Sequence, residues 1–278
     1  MLNGFSVDVE EWFHICAAPA ALAPPRWESL PSRVERDTER VLAMLDRHGV
    51  RATFFVLGWV AERYPRLVKV IAAGGHVIGS HGHRHDRVYD LGAERFAADL
   101  RASIAALTAA GSAPITCYRA PEWSINDRAP WALDVLAREG ITLDSSRAPM
   151  RVVGSPSYPR RPHRICTRQG VLTEVPPFVR RRFGQRIPYG GGWGLRIARP
   201  SAVLRAVEHR NQRGIPVTFW IHPWELDPDP PRIRLPWPQH AAHYLGLPGF
   251  EHRLDILLEN AAFGPLQEMI EACRPSLS

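Results

Sequence analysis

Residues 5–14 have the sequence FSVDVEEWFH, which places three carboxylates in a segment that otherwise predicts a buried strand. Because side chains alternate across a strand, Asp8 and Glu10 share one face, and the valines that flank Asp8 share the other. Two carboxylates on one face are costly to bury without partners, so we expect a divalent metal or a cation beside them. Solvated acids at an exposed strand end are the alternative, which suits Glu11 better than Asp8.

Short apolar segments alternate with helical patterns along the rest of the chain. The predicted strands cover residues 5–12, 51–58, 75–81, 115–121, 141–146, 171–178 and 217–222. The predicted helices cover residues 33–48, 60–73, 93–110, a segment that begins near Asp127, 200–213 and 252–273. This alternation predicts an α/β fold in which crossover helices join parallel strands, as a barrel or an open sheet. We expect one domain over residues 1–278, with a C-terminal extension from about residue 225.

The charge balance is basic, with 35 Lys and Arg residues against 28 Asp and Glu residues and a formal net charge of +7. Nearly all of these cations are arginine. A basic face for an anionic glycan, a lipid pyrophosphate or a nucleic acid is one interpretation, and base-composition bias of the genome is the preferred one. The chain has no nucleic-acid-binding motif, so we expect no nucleic-acid partner.

The cysteine pattern and the N-terminal residues bear on the cellular compartment. Four scattered cysteines without a C-x-x-C pair favour free thiols in a reducing compartment. The N-terminus lacks the basic and apolar regions of a leader, and the most apolar early run is too short to span a bilayer. These features predict a cytoplasmic protein without a transmembrane segment.

The strongest local signal is SHGHRHD at residues 80–86. His81 and His85 lie four residues apart, a spacing that lets both rings face one metal ion in a helical turn. The pair follows a predicted strand, and functional residues collect at the carboxyl ends of strands in α/β barrels. Histidines that cap a turn or lie on the surface are the alternative, and His83 is expected to be a loop residue.

Three further polar residues follow predicted strands. Arg119 could pair with Asp8 and hold that carboxylate ionised, although a surface arginine is the alternative. Asp144 ends another strand, where an N-cap is the simpler interpretation. His222 ends the last strand, where a lone histidine is usually structural, but a second active-site group is otherwise missing.

Taken together, these residues resemble the polysaccharide deacetylase family, the NodB-homology group of carbohydrate esterases. Five motifs occur in the family's order: SVDVE at 6–10, SHGHRH at 80–85, RAPEW at 119–123, LDSS at 143–146 and WIHP at 220–223. The segments PYGGGWGLR (188–196) and FWIHPWELDPDPPRI (219–233) resemble the subgroup associated with exopolysaccharide loci and the XrtA/PEP-CTERM exosortase system. The resemblance covers nearly the whole chain.

The resemblance implies a distorted (β/α)7-type barrel and metal-dependent removal of acetyl groups from N-acetylhexosamine units of a polysaccharide or exopolysaccharide, or of its lipid-linked precursor. It implies Zn²⁺, with Co²⁺, Ni²⁺ or Mn²⁺ as alternatives, held by Glu10, His81 and His85. The family's commonest form has two adjacent aspartates, of which the second is the ligand. Val9 occupies that position here, so the ligand role passes to Glu10 on the face of Asp8.

The resemblance also implies the remaining catalytic roles. Asp8 would be the general base and Arg119 would steady it. His222 would be the general acid, and Asp144 would hold its charged form. The backbone N–H of Glu122, directly after Pro121, would stabilise the tetrahedral oxyanion.

Several tryptophans are candidates for sugar contacts or for the wall of the acetyl pocket: Trp123, Trp193, Trp220 and Trp224. Core packing is the alternative for each, and it is preferred for Trp220. The run Arg180 to Arg186 could meet an anionic glycan or a lipid carrier, although a solvated loop is preferred. The expected partners are an acetylated glycan and, peripherally, the exopolysaccharide assembly machinery.

Two other functions remain open. A small-molecule amidohydrolase could use the same scaffold, although the long loops and tryptophans favour a glycan. A non-catalytic protein that binds glycan or a partner is the third hypothesis, but the proposed acid and base groups and both histidine ligands are present.

Overall fold

The computed structural model describes residues 1–16, 22–182, 184–237 and 239–273. The described residues contain eleven strands: β1 Asn3–Val9, β2 Thr53–Val56, β3 Val77–Ser80, β4 Cys117–Tyr118, β5 Leu143–Asp144, β6 His163–Thr167, β7 Gly170–Glu174, β8 Val179–Arg182, β9 Gln185–Pro188, β10 Thr218–Ile221 and β11 Phe263–Gly264. They also contain eleven α-helices: α1 Val34–Arg47, α2 Gly58–Arg63, α3 Pro65–Ala73, α4 Val88–Leu91, α5 Ala93–Ala109, α6 Ala132–Arg138, α7 Gly192–Ile197, α8 Pro200–Asn211, α9 Gln239–Tyr244, α10 Phe250–Asn260 and α11 Leu266–Cys273. Short 3-10 helices cover Pro24–Ser29, Pro121–Trp123 and Pro223–Leu226.

The main sheet has the strand order β10-β1-β2-β3-β4-β5-β7-β6. Every neighbouring pair along this path is parallel except β6 with β7, and β11 pairs with the start of β1. β8 and β9 form a separate hairpin. Among the described residues the strand order runs from β10 to β6, and these two end strands do not pair with each other. The sheet is therefore a curled half-barrel and not a closed barrel. The predicted α/β class and barrel-like sheet are therefore confirmed.

β1 is buried along its whole length, as expected for a parallel strand with packing on both faces. Val7 and Val9 lie in the main apolar core, whereas Asp8 is in register with Phe55 on the opposite face. A Cβ added at Gly4 would lie 2.5 Å from a methyl group of Leu266, so α11 packs closely against the start of β1.

All seven predicted strands are present as β1, β2, β3, β4, β5, β7 and β10, and the sequence analysis missed the other four. The predicted helix at 60–73 is two helices that meet at Tyr64, because Pro65 lacks an N–H donor and disfavours helical geometry in the preceding residue. The predicted helix at 252–273 is likewise divided, since β11 joins the main sheet between α10 and α11.

The helix predicted from Asp127 begins instead at Ala132. Asp127 is not its N-cap, because its carboxylate accepts a hydrogen bond from the Tyr158 hydroxyl at 2.5 Å. Within the described parts of the chain, no helix combines the length and the apolar character needed to cross a membrane.

Candidate active site

The carboxyl ends of four strands enclose a cavity of about 200 Å³. Glu10 follows β1, His81 follows β3, Arg119 follows β4 and His222 follows β10. Nine of the predicted site residues line this cavity: Asp8, Glu10, His81, His85, Arg119, Glu122, Trp123, His222 and Trp224. Three do not line it: Pro121, Asp144 and Trp193.

Glu10, His81 and His85 form a buried cluster in which the three possible ligand atoms lie within 4.8 Å of one another. Glu10 Oε2 lies 2.7 Å from His85 Nε2 and 3.8 Å from His81 Nε2. Burial would raise the pKa of Glu10, but the neighbouring His85 and His222 hold it well below its usual range. The cluster therefore presents one carboxylate and two imidazoles to a common point.

Neighbouring groups orient these side chains. His81 Nδ1 lies 2.8 Å from the carbonyl oxygen of Arg119, which assigns the ring proton to Nδ1 and leaves Nε2 free to coordinate. Trp224 donates its indole N–H to Glu10 Oε1 at 3.3 Å. Glu10 Oε2 is buried and has no donor of acceptable hydrogen-bond geometry among the described residues. A divalent cation would satisfy this orphaned oxygen, so the donor set fits a metal ion.

Asp8 and Arg119 form a buried ion pair beside this cluster. Arg119 Nη1 donates to Asp8 Oδ1 at 2.7 Å, and both side chains are almost inaccessible to solvent. The same guanidinium donates to the hydroxyls of Ser6 and Ser145, each at 2.8 Å, and stacks 4.4 Å from the ring centre of Phe55. The predicted pairing of Asp8 with Arg119 is therefore present, and the arginine is held on every side.

His222 has a different carboxylate partner from the predicted one. Glu225 Oε2 lies 3.2 Å from His222 Nδ1 and accepts the His222 backbone N–H at 2.8 Å. Glu225 Oε1 in turn lies 3.2 Å from Arg196 Nε. Burial by itself would lower the pKa of His222, but the carboxylates of Glu10 and Glu225 raise it to about 9. Both carboxylates, Glu10 and Glu225, thus favour the charged form of the imidazole, and Glu225 also contacts its Nδ1.

Asp144 does not make the predicted contact with His222. Its carboxylate accepts a hydrogen bond from the Ser146 hydroxyl and packs against Glu174, and both acids are fully buried. Burial raises the pKa of Asp144 to about 6 and raises that of Glu174 well above its usual range. The structure therefore places the Asp144 carboxyl group beside Glu174 and not beside His222, while the adjacent Ser145 contacts Arg119.

The turn Pro121–Trp123 contributes Glu122 and Trp123 to the cavity lining. Glu122 has φ 50° and Trp123 has φ 50°, and the Glu122 carboxylate pairs with Arg87 at 2.7 Å. No described residue accepts the backbone N–H of Glu122. The non-glycine residues with positive φ in the described parts of the chain are His85, Glu122 and Trp123, and all three line the cavity. Such backbone strain concentrates at functional sites.

The tryptophans divide into two groups. Trp123 lines the cavity and packs edge-on against the buried Trp220, at 4.7 Å between ring centres. Trp224 is stacked between His222 at 5.2 Å and His243 at 4.3 Å, and it also lines the cavity. Trp193 lies in α7 away from the lining residues.

Glu11 is buried, contrary to the expectation of a solvated acid. Its carboxylate accepts the backbone N–H groups of Arg33 at 3.0 Å and Val34 at 3.3 Å, and the Ser32 hydroxyl also donates to it. Negative charge at a helix N-terminus is favourable because the first N–H groups of a helix lack partners. Glu11 therefore fixes the start of α1 against the strand that carries the site.

Several residues of the site were not predicted from the sequence: His14, Arg196, Glu225 and His243. Glu225 had a usable signal in the sequence. It lies three residues after His222, the residue before Pro223, and an acid at this distance from an N-cap is the pattern of a capping box. His14 and His243 line the cavity through loops and a short helix, where the sequence has no periodicity to place them.

Comparison with known proteins identifies two matched segments. Residues 27–142 match a family model described as polysaccharide deacetylase, and residues 145–271 match a domain of unknown function, DUF3473. The first segment contains His81, His85 and Arg119, whereas His222 and Glu225 lie in the second.

Individual relatives agree with the first match. The chain is 42% identical over 59 residues to a peptidoglycan-N-acetylglucosamine deacetylase of Bacillus cereus, covering 21% of this chain and 22% of that protein. It is 31% identical over 101 residues to a chitooligosaccharide deacetylase of Rhizobium leguminosarum bv. trifolii, covering 36% of this chain and 44% of that protein. The match thus spans less than half the length of either relative.

A solved structure agrees in fold. A putative polysaccharide deacetylase from Mycobacterium smegmatis superposes with a TM-score of 0.65 at 21% identity, covering 99% of this chain and 91% of that one. The resemblance to the exosortase-associated subgroup is not tested by these matches and stays a prediction. The resemblance to polysaccharide deacetylases of the NodB-homology type is therefore confirmed for residues 27–142.

Proposed function

We propose that this protein hydrolyses the acetamide group of N-acetylhexosamine units in a polysaccharide or exopolysaccharide, or in its lipid-linked precursor, with a divalent metal as cofactor. One observation carries the proposal. A buried cluster of one carboxylate and two imidazoles lies in the same cavity as an arginine-held carboxylate and a glutamate-held imidazole. These groups are the metal ligands, the base and the acid that amide hydrolysis needs.

Glu10, His81 and His85 would hold the metal, for which Zn²⁺ is the first choice and Co²⁺, Ni²⁺ or Mn²⁺ are alternatives. Three protein ligands of this type are the usual set of a catalytic zinc site that keeps a position open. When bound, the ion would act as a Lewis acid that makes water more acidic and polarises the acetamide carbonyl.

Asp8 is the proposed general base. Its Oδ1 accepts a hydrogen bond from Arg119, which fixes the orientation of the carboxylate in the cavity. Because Ser6 and Ser145 hold the guanidinium in place, Asp8 cannot turn away from the cavity without breaking its buried ion pair. Asp8 would accept the proton of the attacking water.

The backbone N–H of Glu122 is the proposed donor to the oxyanion of the tetrahedral intermediate. Its lack of an acceptor among the described residues leaves it available to substrate. Pro121 at the start of this turn and the salt bridge from Arg87 to Glu122 fix the backbone in advance. Preorganised donors of this kind stabilise charge that develops only in the transition state.

His222 is the proposed general acid for the leaving amine. Glu225 replaces Asp144 as the group that holds its protonated form, and the buried Arg196 fixes Glu225. Stacking on Trp224 limits rotation of the ring. Trp123 and Trp224 are proposed to contact the sugar or its acetyl group, and Trp193 is not included because it lies away from the cavity.

Because the site draws on both matched segments, we propose that residues 1–278 act as one catalytic domain, in which the extension from about residue 225 supports His222 through Glu225. Peripheral association with exopolysaccharide assembly machinery also remains a proposal.

A small-molecule amide is the second candidate substrate. The cavity of about 200 Å³ lies below the roughly 300–1,000 Å³ typical of ligand sites, which favours a small acyl group or a single sugar ring at the reacting centre.

The test is acetate release from chitooligosaccharides, from an acetylated exopolysaccharide and from small acetamides, with metal content measured in parallel. We expect Asp8→Asn to keep its metal and lose most activity, and Glu10→Ala to lose both. Glu35→Gln, an exposed acid on α1, is the matched control. Full metal content and activity in Glu10→Ala would contradict the ligand assignment. Turnover of small acetamides alone would favour the second candidate.

A further inference from the structure

A second cavity, of about 440 Å³, lies between the hairpin strand β8 and helix α8. Five arginines line it: Arg160, Arg180, Arg181, Arg205 and Arg210. His209 also lines it, and no acidic side chain does. The α8 lining residues lie at positions 202, 205, 206, 209 and 210, which form one face of a helix.

The positive charge of this cavity is not neutralised within the described residues. None of the five arginines forms an ion pair with a carboxylate there, whereas Arg36, Arg40 and Arg47 of α1 all do. Like charges at this spacing repel one another and disfavour the compact state unless counterions are bound. Burial together with nearby arginines lowers the pKa of Arg210, which is the direction expected for a crowded guanidinium.

Neutral groups hold two of these guanidiniums in place. Arg210 donates to the carbonyl oxygen of Arg160, and its Nε is buried without a partner among the described residues. Arg180 donates to the Tyr189 hydroxyl at 3.1 Å and lies over the same ring. Because the acceptors are uncharged, the side chains are oriented while their charge remains available to an anion.

We propose that this cavity binds a diphosphate-type anion, either free or as the headgroup of a lipid. The guanidinium fork donates two parallel hydrogen bonds to phosphate oxygens, and five such groups match an anion of several charges better than a single carboxylate. The proposal does not depend on the deacetylase activity.

Val179 lines this cavity and packs in one apolar cluster with Trp123 of the first cavity, so the two sites flank a shared cluster.

The test is calorimetric titration of the full chain with inorganic pyrophosphate, at low salt and again near physiological ionic strength. The variant Arg181→Gln/Arg205→Gln removes two lining charges whose side chains make no hydrogen bond or ion pair with other described residues. We expect it to weaken binding by roughly tenfold or more, since hydrogen bonds between charged groups are the strong ones. The control Arg66→Gln changes the net charge by removing an exposed arginine of α3 and should leave binding unchanged.

Vesicles separate the two sources of the anion. Phosphatidylcholine vesicles with and without phosphatidic acid are tested for binding, with pyrophosphate as competitor. Competition that is lost in the double variant would place headgroup and free anion at the same site and support the proposal. No binding of pyrophosphate, equal weakening in Arg66→Gln, or vesicle binding that pyrophosphate does not displace would each overturn it.

Discussion

Replacing Glu225 with Gln tests whether a buried ion pair supports the proposed general acid. The substitution keeps the size of the side chain but removes its charge, so Arg196 loses its carboxylate and His222 loses the anion at Nδ1. Arg196 and Glu225 are each 1% exposed, so solvent cannot compensate. Removing one partner of a buried pair costs roughly 3–5 kcal/mol. Arg196 still donates a hydrogen bond to the His243 carbonyl oxygen at 2.6 Å, so we expect the free energy of unfolding to fall by about 3 kcal/mol, the lower end of that range.

The stability assay is urea unfolding followed by circular dichroism. The matched control is Glu268→Gln, which breaks the ion pair with Arg51, where the two side chains are 37% and 55% exposed. An exposed pair of this kind contributes at most about 1 kcal/mol. A loss in Glu225→Gln no larger than in the control would refute the reasoning from burial.

A double variant separates the structural role of Glu225 from its catalytic role. Arg196→Met combined with Glu225→Gln leaves no uncompensated charge, so most of the stability should return. Acetate release should stay low, because His222 still lacks the carboxylate at Nδ1 that orients the ring and favours its charged form. The loss should not exceed that of His222→Ala, within the roughly 10²–10⁴-fold that a general acid contributes. Recovery of full activity in the double variant would show that the charge of Glu225 only balances Arg196.

Three further outcomes are expected. Glu11→Ala removes the carboxylate at the start of α1 and should lower the free energy of unfolding by about 1–2 kcal/mol with metal content unchanged, measured by urea unfolding and metal analysis. The pKa values of Asp144 and Glu174 are raised in the folded protein, so their contribution to the free energy of unfolding is lost as pH rises from about 4 through about 6. Glu174→Gln should make the free energy of unfolding depend less on pH, measured in unfolding curves at pH 4, 5, 6 and 7. Added Zn²⁺ at 100 times its dissociation constant should stabilise the wild type by about 2.7 kcal/mol in thermal unfolding, but not Glu10→Ala.

The parts of the fold that the sequence predicted are those with strong local periodicity. Each predicted strand of the main sheet is an apolar run that ends at a polar residue, and the amphipathic pattern of α1 located it within one residue at each end. The hairpin of β8 and β9 escaped prediction because Val179–Arg182 is polar and mostly exposed, so no alternation marks it. The break at Tyr64 was visible in the sequence as the residue before Pro65.

The site was predictable where function follows strand ends, and not where it depends on tertiary pairing. Glu10 and His81 come directly after β1 and β3, which flank β2 in the parallel sheet, and His85 follows His81 by four residues. Their convergence therefore follows from the parallel topology and this spacing. The choice between Asp144 and Glu225 as the partner of His222 depends on distances that no spacing reveals. Asp144 ends a strand as expected, but its carboxyl group lies beside that of Glu174 on the adjacent β7 and not beside His222.

The spacing of the first two acids has a structural reason in β1. Val9 is fully buried in the apolar core, so a carboxylate at that position would point away from the cavity into a region without partners. Two residues along a strand correspond to roughly 6.5–7 Å, which separates Asp8 from Glu10 enough for each to have its own cation or imidazoles. Arg119 therefore binds Asp8 alone among the acids, while His81 and His85 converge on Glu10. Alternation of the strand thus places both carboxylates on the cavity face, and the rise of two residues between them gives each its own partners.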